Sequence, residues 1–497
     1  MTEPRRFWIR TFGCQMNVHD SDKVGNLLHH AGYEAAPGPD AADLLIVNTC
    51  SIRDKVEHKL YSDLGKLREW KAEAPGRVVG VGGCVAQQEG DAILKRFDQV
   101  DFVFGTHNLR RVPALAEAAV AGGRAVRVEE SASLDRFDLP ERHPDFSSAT
   151  PGRAFLTVME GCDMFCSFCI VPTTRGREIS RPAAGILEEA RQLAGGGVRE
   201  VTLLGQTVNA YGRHDVRRGH AAEKGTMPFA ELLSELDAIP GLDRIRYTSP
   251  HPLFFDEALV AAHGELESLC PHVHLPVQSG SDRMLEAMRR RYTAEEYRGI
   301  VAALRGARPD IALTSDLIVG FPGETEADFA ATLSLIEEVG LVDSFSFKYS
   351  PRPGTKAAEL EGQVSEAEAQ ARLERLQALQ HRLRFEAHRA RLGETTEILV
   401  EGPSRRGGSQ LRGRDPYHRL VNLDDASGIA AGALARVEIV EATPHSLIGE
   451  PLSGGLAENP HDGVKTGTGS ADDLRRGEPS SSTRGEPSRR NPMEATG

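Results

Sequence analysis

Gly161-Cys162-Asp163-Met164-Phe165-Cys166-Ser167-Phe168-Cys169 is the stretch that decides how the middle of the chain folds. It places three cysteines in a C-x3-C-x2-C spacing directly after a predicted strand, Phe155–Met159. Three thiolates at this spacing can bind three irons of a cubane 4Fe–4S cluster and leave the fourth iron open to another ligand. Structural zinc is the alternative, but zinc usually takes four protein ligands, and no second cysteine pair follows.

A strand–helix pattern continues from this stretch over residues 151–385. The predicted strands are Phe155–Met159, Glu200–Leu204, Ile245–Tyr247, His272–Leu275, Leu313–Val319 and Phe345–Tyr349. Helical segments such as Ala183–Leu193, Phe229–Ala238 and Glu295–Arg305 separate them. The pattern predicts an α/β fold with an incomplete parallel (β/α)6 barrel, whose active site lies at the carboxyl ends of the strands.

Another strand–helix series, over residues 5–125, predicts a doubly wound parallel sheet. Its strands are Phe7–Thr11, Leu44–Asn48, Val78–Gly82 and Phe102–Phe104. Shortly after the ends of the first three strands come Cys14, Cys50 and Cys84. Since parallel strands end at one edge of a sheet, we expect these thiols to converge despite spacings of 36 and 34 residues. Three buried structural thiols are the alternative.

The remaining segments have simpler patterns. Residues 126–150 are polar and contain prolines, which predicts a linker. A charged helix is predicted over Ser365–Leu392. Residues 388–452 contain short strands separated by Gly and Pro, which predicts a small antiparallel β-barrel. Residues 453–497 are rich in Gly, Ser, Glu and Arg, and a disordered tail is expected there.

Composition narrows the class of protein. The net charge of −13 over 497 residues argues against a protein that coats nucleic acid non-specifically. No apolar run reaches the roughly 18 residues of a membrane span, and the N-terminus lacks a secretion signal. The seven cysteines, six of them grouped, are too few for a disulfide scaffold. A cytoplasmic protein without membrane contact is therefore predicted. The seventh cysteine, Cys270, is expected to be a partly buried thiol.

One local segment is basic. The segment from Pro403 to Leu420 contains five arginines and one acidic residue, which gives a net charge of +4 in 18 residues. Tyr417 and His418 add stacking surfaces, so RNA binding is predicted here. The predicted RNA-binding residues are Arg405, Arg406, Arg412 and Arg414. A solvated arginine-rich loop is the alternative, and Arg289–Arg291 with Arg352 form a second candidate surface near strand ends.

Taken together, the two cysteine sets closely resemble those of the methylthiotransferases, within the radical S-adenosylmethionine superfamily, and in particular the bacterial MiaB family of tRNA enzymes. The resemblance covers about residues 7–450, and the C-terminal barrel looks like a TRAM domain, an RNA-binding module. Its most specific stretches are Thr11-Phe12-Gly13-Cys14-Gln15-Met16-Asn17, Asn48–Arg53, Gly82–Gln87, Cys162–Gly176 and Tyr349–Thr355. Asp163-Met164-Phe165 and Thr173-Thr174 depart from the family pattern, but the cysteine frame is intact.

The resemblance implies two 4Fe–4S clusters. Cys162, Cys166 and Cys169 would bind the cluster that cleaves S-adenosylmethionine to a 5′-deoxyadenosyl radical. An auxiliary cluster on Cys14, Cys50 and Cys84 would carry the sulfur to be inserted. Of two S-adenosylmethionine molecules per turnover, one would methylate this sulfur and the other would yield the radical that removes hydrogen from carbon 2 of adenine. The expected substrate is N6-dimethylallyladenosine at position 37 of tRNA, beside the anticodon.

Further contacts and partners follow from the same resemblance. S-adenosylmethionine would be contacted by Phe168, Gly205, Gln206, Gln278 and Gly320. The partners would be tRNA, an electron donor such as flavodoxin or ferredoxin, and a sulfur donor, and the enzyme would be a monomer.

Three other functions are weighed against this one. A ribosomal-protein methylthiotransferase usually carries Pro-Lys-Asn where this chain has Gln15-Met16-Asn17. A tRNA enzyme that acts on threonylcarbamoyladenosine has the same chemistry on another base. A non-catalytic iron–sulfur RNA-binding protein or redox sensor would not need a barrel that binds S-adenosylmethionine.

Overall fold

A computed structural model describes residues 4–51, 54–131, 133–143, 150–404, 410–424 and 428–456. Residues 457–497 lie outside this set, so disorder of the predicted tail stays a prediction. No helix in the described ranges is long and apolar enough to cross a bilayer.

The N-terminal part is a doubly wound parallel sheet, as predicted. Its six strands run in the order β2-β1-β3-β4-β5-β6, and all neighbouring pairs are parallel. The strands are β1 (Arg6–Thr11), β2 (Glu34–Ala35), β3 (Leu44–Thr49), β4 (Val78–Gly83), β5 (Phe102–Phe104) and β6 (Ala125–Arg127). The helices are α1 (Gln15–His30), α2 (Asp54–Glu73), α3 (Cys84–Glu89), α4 (Asp91–Arg96) and α5 (Val112–Val120).

Side chains of the central strands are buried on both faces of this sheet. Ile46 packs with residues of α1 and α5, whereas its neighbour Leu45 packs with residues of α2 and α4. From β1 the chain adds β2 on one side and then β3 to β6 on the other side. The strand order therefore reverses between β1 and β3. Open parallel sheets bind ligands in the crevice at such a reversal. The cysteine-bearing ends of β1, β3 and β4 are therefore adjacent, although β2 separates β1 from β3 in sequence.

The middle of the chain forms the predicted incomplete barrel. Two three-stranded parallel sheets, β11-β10-β7 and β12-β13-β14, are joined by a parallel bridge between Ile245 and Leu269. The strands are β7 (Arg153–Thr157), β8 (Met159–Glu160), β9 (Ile179–Ser180), β10 (Glu200–Leu204), β11 (Arg244–Tyr247), β12 (His272–His274), β13 (Ala312–Val319) and β14 (Asp343–Lys348). The helices are α6 (Val171–Arg175), α7 (Ala183–Gly195), α8 (Arg213–Arg217), α9 (Ala221–Lys224), α10 (Phe229–Asp237), α11 (Glu257–Glu265), α12 (Asp282–Ala287), α13 (Ala294–Ala307) and α14 (Glu326–Glu338).

The C-terminal part is a closed five-stranded barrel that follows the long helix α15 (Glu366–Arg389). Its strands, β15 (Thr395–Pro403), β16 (Leu411–Arg414), β17 (Leu420–Leu423), β18 (Leu434–Ala442) and β19 (Leu447–Leu456), pair in the order β15-β16-β17-β19-β18. All pairs are antiparallel except β17 with β19. Strand β16 was not predicted, because its alternating arginines and Gly413 lack an apolar pattern.

A buried charge network joins this small barrel to the larger one. Glu200, 1% exposed, lies between Arg153 and Arg246, at 2.9 and 3.0 Å. Arg153 also binds Glu401 of β15 at 2.6 Å, and Arg246 donates to the Pro416 carbonyl at 2.9 Å. Since Arg153 and Glu200 begin their strands, the C-terminal barrel docks at the amino ends of the strands. The predicted active site lies at the other ends.

Candidate active site

The first cysteine triad lies at the carboxyl edge of the doubly wound sheet. Cys14 precedes α1, Cys50 directly follows β3, and Cys84 begins α3. Gly13 has a φ of +121°, and a Cβ there would lie 2.5 Å from the Cys50 Cβ. Glycine therefore permits the close approach of the first two cysteine loops.

A polar clamp ties these two loops together. Asn17 Nδ2 donates to the Thr49 carbonyl at 2.7 Å, and Asn48 Nδ2 donates to the Asn17 carbonyl at 2.8 Å. A hydrogen bond between the Cys14 and Cys50 side chains lowers the pKa of Cys14 to about 6. Because the thiolate is the form that binds metal, this site favours the ligand state of Cys14.

The second triad lies in the loop between β8 and α6. The Cys162 amide donates to the Gly176 carbonyl at 3.2 Å and closes this loop. The Cys162 Sγ lies 3.0 Å from the Thr207 Oγ1, and Arg290 Nη1 donates to the Cys166 Sγ at 3.4 Å. The antiparallel pairing of β8 with β9 brings together the chain before the cysteine loop and the chain after α6.

The thiols of both triads are available as ligands. All six thiols are free, and none of the cysteines is paired in a disulfide. Within the described ranges, no three His, Cys, Asp or Glu side chains converge as the ligands of one metal ion do. A cubane cluster needs a wider spacing, since each thiolate binds its own iron. Assignment of the two triads to 4Fe–4S clusters rather than to single metal ions therefore stays a prediction.

The residues predicted to contact S-adenosylmethionine have different surroundings. Gln206 Oε1 accepts a hydrogen bond from the Gly161 amide, and Gln206 Nε2 has no partner among the described residues. This amide is thus fixed beside the cysteine loop with a donor free for a ligand. Gly205 lies tightly against Met159, since a Cβ there would be 2.6 Å from the Met159 Cγ. Phe168 packs against the cluster of Met284, Met288 and Phe321.

The other two predicted contacts are less available. Gln278 has a φ of +77°, and its backbone N–H donates to the Asp316 carbonyl at 2.9 Å. The Gly320 amide donates to Glu324 Oε2 at 2.7 Å, so this donor is already used inside the protein. Contact of these residues with S-adenosylmethionine stays a prediction.

Of the predicted RNA-binding arginines, Arg405 and Arg406 lie outside the described residues. Arg414 Nε donates to Glu401 Oε1 at 3.0 Å, and Arg412 lies 3.6 Å from the same carboxylate. Burial lowers the pKa of Arg414, and the Glu401 carboxylate opposes this. Both charges are thus engaged within the molecule, and RNA contact by these arginines stays a prediction.

An exposed rim surrounds the second triad. Phe165, between Cys162 and Cys166, is 44% exposed with a φ of +49°, and Arg177 lies over its ring at 5.4 Å. Arg289 and Arg291 are also exposed, with φ values of +59° and +60°. The aromatic ring can stack on a base, and Arg289 and Arg291 can neutralise phosphates, whereas Arg177 is already paired with Asp163 at 2.6 Å.

The charged junction between the two triads was not predicted from the sequence. Arg175, at the end of α6, makes a 2.7 Å ion pair with Asp20 of α1, and both are buried. Lys23 of α1 pairs with Glu160 of β8 at 3.3 Å. Arg175 lies in the quoted Cys162–Gly176 stretch, so its position in the motif was a signal. Its partner depends on how α1 packs, which the sequence pattern does not indicate.

Three family models match the chain in order. Residues 6–105 match the uncharacterized protein family UPF0004, residues 156–336 match the radical SAM superfamily, and residues 389–452 match the TRAM domain. These matches coincide with the doubly wound sheet, the incomplete barrel and the C-terminal barrel.

Curated relatives match over nearly their whole length. The chain is 50% identical over 450 residues to the tRNA-2-methylthio-N(6)-dimethylallyladenosine synthase of Geobacter metallireducens, which covers 90% of this chain and 99% of that one. Its counterpart in Cereibacter sphaeroides is 48% identical, with 91% and 100% covered. The counterpart in Aeromonas hydrophila is 48% identical, with 90% and 92% covered.

A solved structure shares the fold at low identity. The radical S-adenosylmethionine methyltransferase TsrM from Kitasatospora setae, with cobalamin and a [4Fe-4S] cluster bound, superposes with a TM-score of 0.53 at 14% identity. It covers 71% of this chain and 74% of its own. Together with the two cysteine triads and the three domain matches, the identity to the curated relatives shows that the chain belongs to the tRNA-2-methylthio-N(6)-dimethylallyladenosine synthase family of radical SAM proteins.

Proposed function

We propose that this protein catalyses methylthiolation of carbon 2 of N6-dimethylallyladenosine at position 37 of tRNA. The observation that carries the proposal is the packing of α3, which begins at Cys84, against α6, which follows Cys169. Two triads of free cysteines, each suited to a 4Fe–4S cluster with an open iron, are thereby held on neighbouring elements. A reaction that needs both a radical and a sulfur atom requires such a pair of sites.

Cys162, Cys166 and Cys169 would hold the cluster at the barrel mouth, and Cys14, Cys50 and Cys84 the cluster at the sheet edge. When bound, the clusters and two molecules of S-adenosylmethionine per turnover supply the radical, the sulfur and the methyl group. Around the triad at the barrel mouth, Arg290 donates to Cys166 and Thr207 contacts Cys162, so each fixes one thiolate. Gln206 presents its free amide donor beside the same loop.

The exposed rim supports an RNA substrate at this mouth. Phe165 offers a stacking face beside the cysteine loop, and Arg289 and Arg291 offer exposed cations near it. The curated relatives are named for dimethylallyladenosine in tRNA, which favours that base over threonylcarbamoyladenosine or a ribosomal protein. A flavodoxin or ferredoxin as electron donor, a separate sulfur donor, a monomeric state and a cytoplasmic location complete the proposal.

The test uses the anaerobically reconstituted full chain with S-adenosylmethionine, a reductant and an anticodon stem-loop. Digestion and mass spectrometry of the nucleosides should detect 2-methylthio-N6-dimethylallyladenosine when the loop carries N6-dimethylallyladenosine. Loops that carry adenosine or threonylcarbamoyladenosine at the same position should give at least tenfold less methylthio product. Equal product from the threonylcarbamoyl loop would contradict the proposed substrate, and the absence of product from all loops would contradict the activity.

A further inference from the structure

Arg175 belongs to the radical SAM part of the chain, but its side chain faces the other cysteine triad. It ends α6, the helix that follows Cys169, and precedes Gly176, whose carbonyl closes the Cys162 loop. Its guanidinium is 4% exposed and pairs with Asp20 on α1, the helix that follows Cys14, while α6 packs against α3, which begins at Cys84. Burial raises the pKa of Cys84, and the nearby Arg175 charge opposes this rise. One residue therefore connects the loop of one triad to the thiols of the other.

The guanidinium has hydrogen-bonding capacity that the protein does not use. Nη2 lies 2.7 Å from Asp20 Oδ2, but neither Nη1 nor Nη2 has an aligned acceptor among the described residues. Buried polar groups in proteins are nearly always satisfied, and an unsatisfied arginine nitrogen costs more than a neutral group. Unused donors beside free thiols indicate that the natural acceptor is part of what the thiols bind.

Asp20 supplies the opposite charge at the same place. It lies on α1, 1% exposed, one helical turn beyond Asn17, which joins the Cys14 and Cys50 loops. Neither Asp20 oxygen has an aligned donor among the residues that the structure describes. The pair is thus held by charge rather than by well-directed hydrogen bonds. Its guanidinium keeps its freedom to donate elsewhere.

We propose that Arg175 is a positioning residue of the auxiliary site: it donates from the radical SAM domain to the sulfur atoms of the cluster held by Cys14, Cys50 and Cys84, while Asp20 fixes its orientation. This inference rests on the auxiliary cluster of the proposed function. Hydrogen bonds to sulfur and nearby positive charge stabilise the reduced, more negative form of an iron–sulfur cluster. Arg175 therefore raises the reduction potential of the auxiliary cluster, and Asp20 lowers it.

The experiment isolates the auxiliary cluster by replacing Cys162, Cys166 and Cys169 with Ala in the full chain. The midpoint potential is then measured by EPR-monitored redox titration after anaerobic reconstitution. Adding Arg175→Met, which keeps the length but removes the charge, should shift the potential to a more negative value. Asp20→Asn should shift it to a more positive value. Arg175→Lys, which keeps the charge, should bring the potential most of the way back to that of the background protein.

Potential shifts of opposite sign in the Arg175 and Asp20 variants would show that each charge acts on the cluster. If the two residues formed only a structural ion pair, removing either one would shift the potential in the same direction. Arg177→Met is the matched control, because Arg177 lies two residues away with a side chain that is 71% exposed. It should leave the potential unchanged.

The remaining outcomes each have one meaning. Loss of the auxiliary cluster in Arg175→Met with retention in Arg175→Lys supports the proposal. Loss in both variants, or an unchanged potential in Arg175→Met, overturns the role of Arg175 while the proposed function stands. If the background protein with its three alanines binds no EPR-active cluster, the auxiliary site of the proposed function fails and this inference fails with it.

Discussion

Each of the two cysteine triads supplies three thiolates, but the chain brings the three together in opposite ways. Cys162, Cys166 and Cys169 come from one loop of eight residues, so local sequence alone brings them together. Cys14, Cys50 and Cys84 span 71 residues and lie at one sheet edge only because β1, β3 and β4 are adjacent in the sheet. Local spacing encodes the loop triad, whereas topology encodes the sheet triad.

The surroundings of the triads differ as well. The loop triad lies at an opening beside an exposed Phe165 and two exposed arginines, Arg289 and Arg291. The sheet triad receives its cation from the neighbouring domain through the buried Arg175. Under the proposed function, the open site would meet the substrate and the enclosed site would hold the sulfur to be transferred.

The largest expected effect is on iron content. The intact chain should bind about eight irons after anaerobic reconstitution, and replacing either triad with Ala should leave about four. Replacing all six cysteines should remove iron almost entirely. Iron and acid-labile sulfide assays measure this. Loss of all iron from either triple variant would show that the two sites do not form independently.

A smaller effect is expected from the rim of the open site. Replacing Arg289 and Arg291 with Ser should weaken tRNA binding and flatten its log–log salt dependence by about 1.4 units, roughly 0.7 per phosphate contact on a single strand. Affinity measured at several salt concentrations tests this. Iron content should not change, because both side chains are exposed, whereas the arginine that contacts Cys166 is the buried Arg290.

Arg191→Ser with Arg382→Ser is the matched control for charge. Both arginines are more than half exposed on helices and are paired with glutamates. The control should leave the salt slope unchanged. If the rim variant also keeps its slope, the basic segment of the C-terminal barrel remains the predicted RNA surface, with Arg405 and Arg406 as its untested members.

The smallest effect is expected at the seventh cysteine. Cys270 is 3% exposed beside Arg246, at the amino end of the barrel strands, and belongs to neither triad. Cys270→Ala should keep about eight irons. Its free energy of unfolding should fall by about 1 kcal/mol, as for an ordinary core substitution. Thermal unfolding with an iron assay measures both, and loss of iron would assign Cys270 a ligand role.

Much of this architecture could be predicted from sequence. The strand Glu200–Leu204 was predicted with its observed bounds, because Val201, Leu203 and Leu204 form a short β-prone segment that ends at Gly205. The adjacency of the strand ends that carry Cys14, Cys50 and Cys84 followed from the rule that parallel strands end at one edge. The family resemblance then supplied the cofactors, which spacing alone left open for the sheet triad.

Other features depend on tertiary packing and left no local pattern. The Arg175–Asp20 pair joins residues 155 positions apart, and a sequence records no such pairing. The basic segment was predicted as a free surface, yet Arg412 and Arg414 share Glu401 near the docking surface between the two barrels. Charge counting cannot distinguish a cation that faces solvent from one that is paired inside an interface.

The most direct test of the account compares two products of one variant. In a protein with Cys14, Cys50 and Cys84 replaced by Ala, 5′-deoxyadenosine and methylthio nucleoside are quantified by mass spectrometry in the same reaction. The account predicts that 5′-deoxyadenosine is still formed, while the methylthio product falls below detection. Methylthio product at the level of the intact protein, or loss of 5′-deoxyadenosine in a folded variant that keeps its other cluster, would contradict the division between the two triads.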